Sequence, residues 1–377
     1  MTSSPLRVLI AGGGVGGLEA LIAARELAAD RVALTLVSPG GEFVYRPLTT
    51  APPYSVGRVR GVSLQSVASD VDASLVAATL EAVDADDRTV LVSTGERIGY
   101  DALVLALGAE AHPAVEQAMT WDDRVDSEMI GGLLRDVEEG YAKRLAVVIP
   151  PGPAWPLRGY EVALFIAMRG YDVSPDVQMT IIRPPEEPLA LLGERALGVI
   201  TGELERAGIA VATAEHVDVE LPHQIILVLE PSGQRLEVDR LIAMPILRGR
   251  RIAGLPADDY GLVPIDAHCR VEGLERVWAV GDCTSFPAMA GGVSAEQADV
   301  AASDVAATAG ANVKPRSFDP RHPEGLVGLP AGRYIEERLE AREPGLSMHL
   351  PTTGLPVLTY LRQDLVAGWR GEVHDGE

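Results

Sequence analysis

The sequence predicts an α/β chain of two doubly wound parallel-sheet units, each a three-layer ββα arrangement, with a small C-terminal region. Three observations carry that expectation. Strand and helix patterns alternate from residue 6 to about 110. A second strand–helix–strand unit starts at residues 144–149, and a late apolar strand, 276–280, runs into a glycine-bearing turn and an Ala-rich helix. Alternation of this kind is the pattern of a parallel sheet covered by helices.

The first strand, residues 6–10, leads into Ala11-Gly12-Gly13-Gly14-Val15-Gly16-Gly17. A helix follows over about 16–29, with Leu18, Leu21, Ile22, Arg25 and Leu27 giving a mostly apolar face. Gly12, Gly14 and Gly17 spell G-x-G-x-x-G, the Rossmann-like fingerprint. Glycine at 12 permits the tight turn, and glycine at 14 lets backbone approach a pyrophosphate. Glycine at 17 lets helix and strand pack closely, while the helix N-terminus offers free N–H groups to the anion. The next strand is 32–37; at its end, where an acid would meet a ribose, the chain has Ser38. Residues 75–94, including Leu80, read as an inserted β-hairpin, and the apolar strand over 100–109 ends at Gly108-Ala109.

Alone, a G-x-G-x-x-G turn is a weak signal, compatible with an ordinary glycine-rich turn. Followed by Gly108, then Gly281-Asp282 and Gly291-Gly292, it points to bound FAD. FMN lacks the pyrophosphate that the first turn suits. The cofactor candidates are Gly12, Gly14, Gly16, Gly17, Ser38, Leu80, Gly108, Gly281, Asp282, Gly292 and Val293. No residues with metal-ligand spacing stand out.

Composition sets the outer limits. A chain of 377 residues, 47% hydrophobic with 39 Gly and 27 Pro, accommodates two or three folded units with many tight connections. The formal charge of −22 argues against nucleic acid and anionic membrane surfaces as partners. Lysine occurs only at Lys143 and Lys314. No apolar run reaches the ~18 residues of a spanning helix, and the N-terminus lacks the pattern of a signal peptide, so a cytoplasmic location is expected.

With all three glycine segments in view, the chain resembles the two-dinucleotide-domain flavoproteins, the pyridine nucleotide-disulfide oxidoreductase-like group. Within it, the sulfide:quinone oxidoreductase, flavocytochrome c sulfide dehydrogenase and type-II NADH dehydrogenase branch is most similar, over about residues 6–310. The resemblance implies an FAD-binding domain from 1–110 and 262–312, an NAD(P)-binding-like domain over 111–261, and a C-terminal region over 313–377. It implies the FAD pyrophosphate on Gly12, Gly14 and Gly17 and the ribityl chain on Asp282. The helix around 292–294 would point its N-terminus at the flavin's C2 carbonyl and N1. Phe43 to Leu48 is similar to the family loop that passes the flavin, which would bring Arg46 within reach of the phosphates.

Two departures limit what the resemblance implies. In the second unit the phosphate turn is replaced by a loop holding Pro150, Pro151, Pro153 and Pro156, which offer no N–H, with Trp155 and Leu157 adding bulk. The following strand ends at Arg183-Pro184-Pro185, with no acid for an NAD ribose. The sequence therefore predicts a degenerate second unit reused as a substrate pocket. Its candidates are Trp155, Arg158, Tyr160 and Glu161, of which Trp155, Tyr160 and Glu161 are the catalytic ones; Glu161 serves as a general base if buried. His349, Thr352 and Thr353 are weaker candidates. The second departure concerns thiols. The sulfide-oxidising relatives carry a cysteine in that loop and another near the C-terminus, whereas this chain has only Cys269 and Cys283. Cys283, following Asp282, is expected near the flavin.

The expected activity is an FAD-dependent oxidoreductase acting on a small organic substrate, passing electrons to oxygen, a quinone or a carrier protein, without a cysteine–disulfide mechanism. An NAD(P)H-dependent ferredoxin or quinone reductase is one alternative. A flavin-binding scaffold or biosynthetic auxiliary without net redox turnover is another. The apolar segment around 355–369 is read as a packing helix or a homodimer contact.

Overall fold

The computed structural model describes residues 4–43, 62–121, 127–173, 176–190, 193–221, 224–286, 289, 291–318, 328–329 and 333–334. Arg46, His349, Thr352, Thr353 and the 355–369 segment lie outside the described residues.

Two sheets of five strands organise the chain. In the first, Val277–Ala279, Ala102–Leu105, Leu6–Ala11, Val32–Val37 and Ala73–Val76 lie side by side, all parallel. In the second, the order is Met119–Thr120, Arg240–Ala243, Arg144–Val148, Gln178–Arg183 and Ala210–Thr213, again all parallel. Strands buried on both faces read as unbroken apolar runs, and Ala-Leu-Val-Leu at 102–105 is buried throughout.

Each parallel sheet carries helices on one face and a three-stranded antiparallel meander on the other. The first meander is Leu80–Asp84, Thr89–Val92 and Arg97–Gly99; the second is His216–Glu220, Ile225–Glu230 and Gln234–Val238. The helix-side core of the first unit joins Leu18, Leu21, Leu34, Leu36 and Trp278, while the meander-side core joins Leu9, Leu80, Val90, Leu103 and Leu105. Corresponding cores flank the second sheet. The ββα layering thus occurs twice. An antiparallel pair, Glu110–His112 with Ile246–Arg248, joins the two units where the chain crosses out and back.

The helices Val15–Ala28 and Gly291–Thr308 pack against each other on the first sheet. Their small buried residues, including Gly16, Gly17, Ala20, Ala24, Ala298, Ala301 and Ala302, permit close approach of the two backbones. Arg25 belongs to the expected apolar face only through its stem. Its guanidinium donates to the carbonyls of Val71, Ala29, Val32 and Asp72, satisfying backbone acceptors around the helix C-terminus. Leu27 is partly exposed.

Two boundaries differ from expectation. Residues 75–94 are not one hairpin: Ala73–Val76 joins the parallel sheet as its edge strand, and the meander starts at Leu80. The break falls where Ala78 N–H and Ser38 N–H both donate to Val76 O, turning the chain out of the sheet. The helix of the second unit, read from the sequence as Tyr160 to about Met168, begins at Pro156 and runs to Val173. Proline is favoured in a first helical turn, where its missing N–H costs nothing. Among the described residues, no helix is long and apolar enough to cross a membrane.

Candidate functional site

The C-terminal edge of the first sheet gathers three of the glycine segments. Gly12 has φ +122°, and a Cβ there would stand 2.0 Å from Ala106 O. A Cβ on Gly17 would stand 1.8 Å from Gly12 O, so the helix start rests directly on the strand end. Gly16 is nearly as confined, against a Val280 methyl at 3.0 Å. Gly14 differs: among the described residues, nothing lies within 4 Å of its Cβ direction, and no side chain caps the helix it precedes. The turn therefore keeps a bare, outward-facing backbone beside uncapped first-turn N–H groups. That is the arrangement a diphosphate fits. Ser38 is 5% exposed at the end of its strand, with its Oγ 2.7 Å from where a Gly13 Cβ would stand. Leu80 is buried among Ala11, Val37 and Ala78. Gly108 has φ +67° and open space around its Cβ direction.

The late segment comes to the same edge through Val277–Ala279, and Val280 N–H donates to Leu105 O at 2.8 Å. A 3-10 turn, Gly281–Cys283, follows, bringing half-buried Asp282 to the strand ends. Gly281 has φ +78°, with Ser294 close against it. Gly291 and Gly292 open the next helix, and Val293 and Ser294 in its first turn are buried. Ends of neighbouring strands in a doubly wound sheet are where dinucleotides bind, and the donor set here suits FAD.

In the second unit the connection after Val148 has a different shape. Gly152 has φ +88° and approaches the Tyr260 hydroxyl, and Pro153 O accepts from Leu247 N–H. Trp155 packs with Ala109, Ala111, Leu247, Leu262 and Met289, an apolar cluster that starts one residue beyond Gly108. Arg158 and Glu161 sit in the first turns of the helix as an ion pair 3.3 Å apart, with side chains 11% and 12% exposed. Gly159 retains the close-packing role of a third fingerprint glycine, since a Cβ there would meet Ile149 at 2.6 Å.

Tyr160 lies away from Trp155, in the helix-side core of the second unit, and its hydroxyl donates to Glu187 at 3.1 Å. Burial, and then the Glu187 carboxylate, hold its phenol well above the ordinary range. Glu187 also pairs with Arg183 at 3.1 Å, and Arg183 donates to the carbonyls of Pro184 and Pro185. The strand end that would meet a nucleotide ribose is thus engaged within the chain. An open groove of about 970 Å³, lined by Lys143, Arg144, Asp176 and Asp239, occupies the opposite, N-terminal edge of the same sheet.

Both thiols are buried, Cys269 in the helix-side core and Cys283 in the meander-side core of the first sheet. Cys283 Sγ contacts the carbonyls of Val280 and Leu105, and burial pushes its pKa up to about 11. Burial raises Cys269 further. Neither is a thiolate near neutral pH. Among the described residues, no cluster of metal-ligating side chains occurs. Sequence reasoning misses Gln297, which is fully buried and accepts from Gly281 N–H at 2.7 Å. Its only signal is an amide on an otherwise small-residue helix.

The model of the pyridine nucleotide-disulphide oxidoreductase family matches residues 6–304. The chain belongs to this family. An NADH dehydrogenase-like protein of Mycobacterium tuberculosis is 30% identical to it over 302 residues, covering 73% of this chain and 72% of the relative. The sulfide:quinone oxidoreductase of Aquifex aeolicus has a similar structure, with a TM-score of 0.66 at 20% identity, over 80% of this chain and 76% of its own. A ferredoxin reductase of Rhodopseudomonas palustris gives 0.60 at 20% identity, over 86% and 83%. The family member described here is an FAD-dependent oxidoreductase.

Proposed function

We propose that the protein oxidises a small organic substrate that reaches the flavin over the Trp155 cluster, and delivers the electrons to oxygen, a quinone or a carrier protein. In this reading 1–110 with 262–312 forms the FAD domain, and 111–261 is a dinucleotide fold turned to another use. The observation that carries it is the loop after Val148. Pro150, Pro151, Pro153 and Pro156 withdraw four N–H donors from the position of a phosphate turn, and Trp155 lies against Ala109 and Met289. The internal Arg183–Glu187–Tyr160 contacts support the same reading, because they occupy the groups a nucleotide ribose or 2′-phosphate would need.

Bound FAD supplies two-electron acceptance, and the chain's part is orientation and electrostatics. Gly14 and the first-turn N–H groups would hold the diphosphate, Asp282 would hold the ribityl hydroxyls, and the helix from Gly291 would lend its positive end to the reduced flavin. Ser38, Leu80 and Gly108 line the nucleotide's path, and Arg46 remains a phosphate partner by resemblance. Trp155, Leu247 and Leu262 keep water from the substrate face. Glu161, paired with Arg158, is the carboxylate available to take a proton from the substrate. A thiol relay has no participant, since Cys283 and Cys269 remain protonated.

Asp282→Ala is expected to weaken FAD binding on the order of 1–3 kcal/mol, the range for a hydrogen bond to a charged group. Equal affinity in titrations of variant and parent apoprotein would remove Asp282 from the site. The reaction itself is tested by anaerobic stopped-flow reduction of the FAD-loaded protein. NADH, NADPH and sulfide are expected to bleach the flavin orders of magnitude more slowly than the best donor in a panel of small alcohols, amines and hydroxy acids. Cys269→Ser with Cys283→Ser is expected to leave every rate unchanged.

The second reading is an NAD(P)H-dependent ferredoxin or quinone reductase. It is favoured by Gly159 and by the similar proteins described above: an NADH dehydrogenase-like protein, a ferredoxin reductase and a sulfide:quinone oxidoreductase. Rapid bleaching by NADH or NADPH would replace the first reading with the second.

A further inference from the structure

Gln297 makes a pair of contacts that call for an acceptor and a donor on one side chain. Its Oε1 accepts from Gly281 N–H at 2.7 Å, and its Nε2 donates to Thr284 Oγ1 at 3.5 Å. The Thr284 hydroxyl spends its own proton on Gly281 O at 2.9 Å, and Thr284 N–H donates to the same oxygen. Thr284 Oγ1 therefore has only lone pairs left to offer, while Gly281 N–H requires an acceptor. One side chain must accept at one end and donate at the other. Gln297 is 0% exposed and Thr284 1%, so water does not substitute for either contact.

We propose that Gln297 is a positioning residue for the flavin. It clamps the Gly281–Thr284 turn to the helix Gly291–Thr308 and thereby fixes Asp282 and the helix N-terminus in one geometry. The two groups arrive from separate elements, a turn and a helix, and the described segments on either side of them hold Gln297 as a direct bridge. The inference rests on the reading that Asp282 and this helix face the flavin.

Three full-length variants test it: Gln297→Leu, Gln297→Glu and Asp282→Asn. FAD affinity is measured by titration of apoprotein at pH 5.5 and pH 8.5, with the melting temperature of the apo and FAD-loaded forms alongside. Gln297→Leu is expected to weaken FAD binding about tenfold or more at both pH values, the ratio a hydrogen bond of ordinary strength supports. It should shrink the gain in melting temperature that FAD confers, beyond any loss in the apo form. Gln297→Glu is the diagnostic variant. As a neutral acid it accepts and donates like the amide, so affinity should approach the parent's at pH 5.5. At pH 8.5 the buried carboxylate has no proton for Thr284, and affinity should fall to the level of Gln297→Leu.

The other titratable groups nearby are Asp282 and Cys283 in the turn, Glu296 and Asp299 on the same helix, and Glu19 on the helix packed against it. The parent, measured at both pH values, accounts for them. A Gln297→Glu protein with the parent's pH response, or a Gln297→Leu protein with unchanged FAD affinity, overturns the proposal. If Asp282→Asn keeps full affinity while both Gln297 variants behave as expected, the Asp282 assignment fails and the clamp stands through the helix alone. Loss in Asp282→Asn with none in Gln297→Leu has the opposite meaning.

Discussion

Gly14→Val is expected to yield a folded protein that holds no FAD, whereas Gly17→Ala is expected to yield little folded protein at all. The two glycines belong to one motif, yet their surroundings separate them. A Cβ at 17 would stand 1.8 Å from a backbone oxygen, and the strand end cannot yield without moving the whole helix. At 14 the same atom meets nothing among the described residues and enters the space a diphosphate would take. The apo form of Gly14→Val should therefore melt with the parent's apo form, and its purified preparation should be colourless. Retained yellow colour after extensive dialysis, at parental stoichiometry, would mean that the turn serves something other than the diphosphate.

Asp304→Ala is expected to be strongly destabilising although it lies outside the site. The carboxylate is 5% exposed and accepts from Arg270 at 2.6 and 2.9 Å and from Trp278 Nε1 at 3.0 Å. Its loss leaves the buried indole N–H unpartnered and empties part of the helix-side core. Each buried orphan of this kind costs about 1–3 kcal/mol, to which the lost charge-assisted bond adds. Although burial by itself raises the Asp304 pKa, the hydrogen bonds from Arg270 and Trp278 outweigh it, and the net shift is downward. A depressed carboxylate stabilises the fold above its unfolded pKa, and that contribution disappears as pH falls through the lower folded value. Denaturant midpoints should accordingly differ most between parent and variant at neutral pH, and the gap should narrow in strong acid. Midpoints that differ equally at all pH values would assign the loss to packing alone.

Much of the first unit was legible because its signals are backbone signals. Gly12, Gly14 and Gly17 mark positions where only a missing Cβ fits or where open backbone is required, and composition alone records that. The apolar run at 102–105 is likewise explained by burial on both faces. The second unit was harder to read from its residues. Tyr160 looks like a pocket residue in sequence, but the helix face that carries it packs into the core of the second unit and brings its hydroxyl to Glu187. Gln297 was invisible for a related reason: its partners, Gly281 and Thr284, are joined to it by a turn whose geometry no spacing rule encodes. Arg183 reads in sequence only as a strand end without an acid, and its pairing with Glu187 depends on how 184–187 bend.

The ladder between Glu110–His112 and Ile246–Arg248 makes the middle of this chain a detachable insert. His112 and Ile246 are register partners, so the chain departs and returns on adjacent backbones, about 5 Å apart. Among the described residues, the segment between them has its own helix-side and meander-side cores, and its strands pair only with one another. Replacing residues 113–245 with a two-residue Asn-Gly turn would close the ladder as an ordinary hairpin and leave a continuous chain for the first sheet. The same seam is where a segment exchange with another family member would leave the chain of the first sheet continuous.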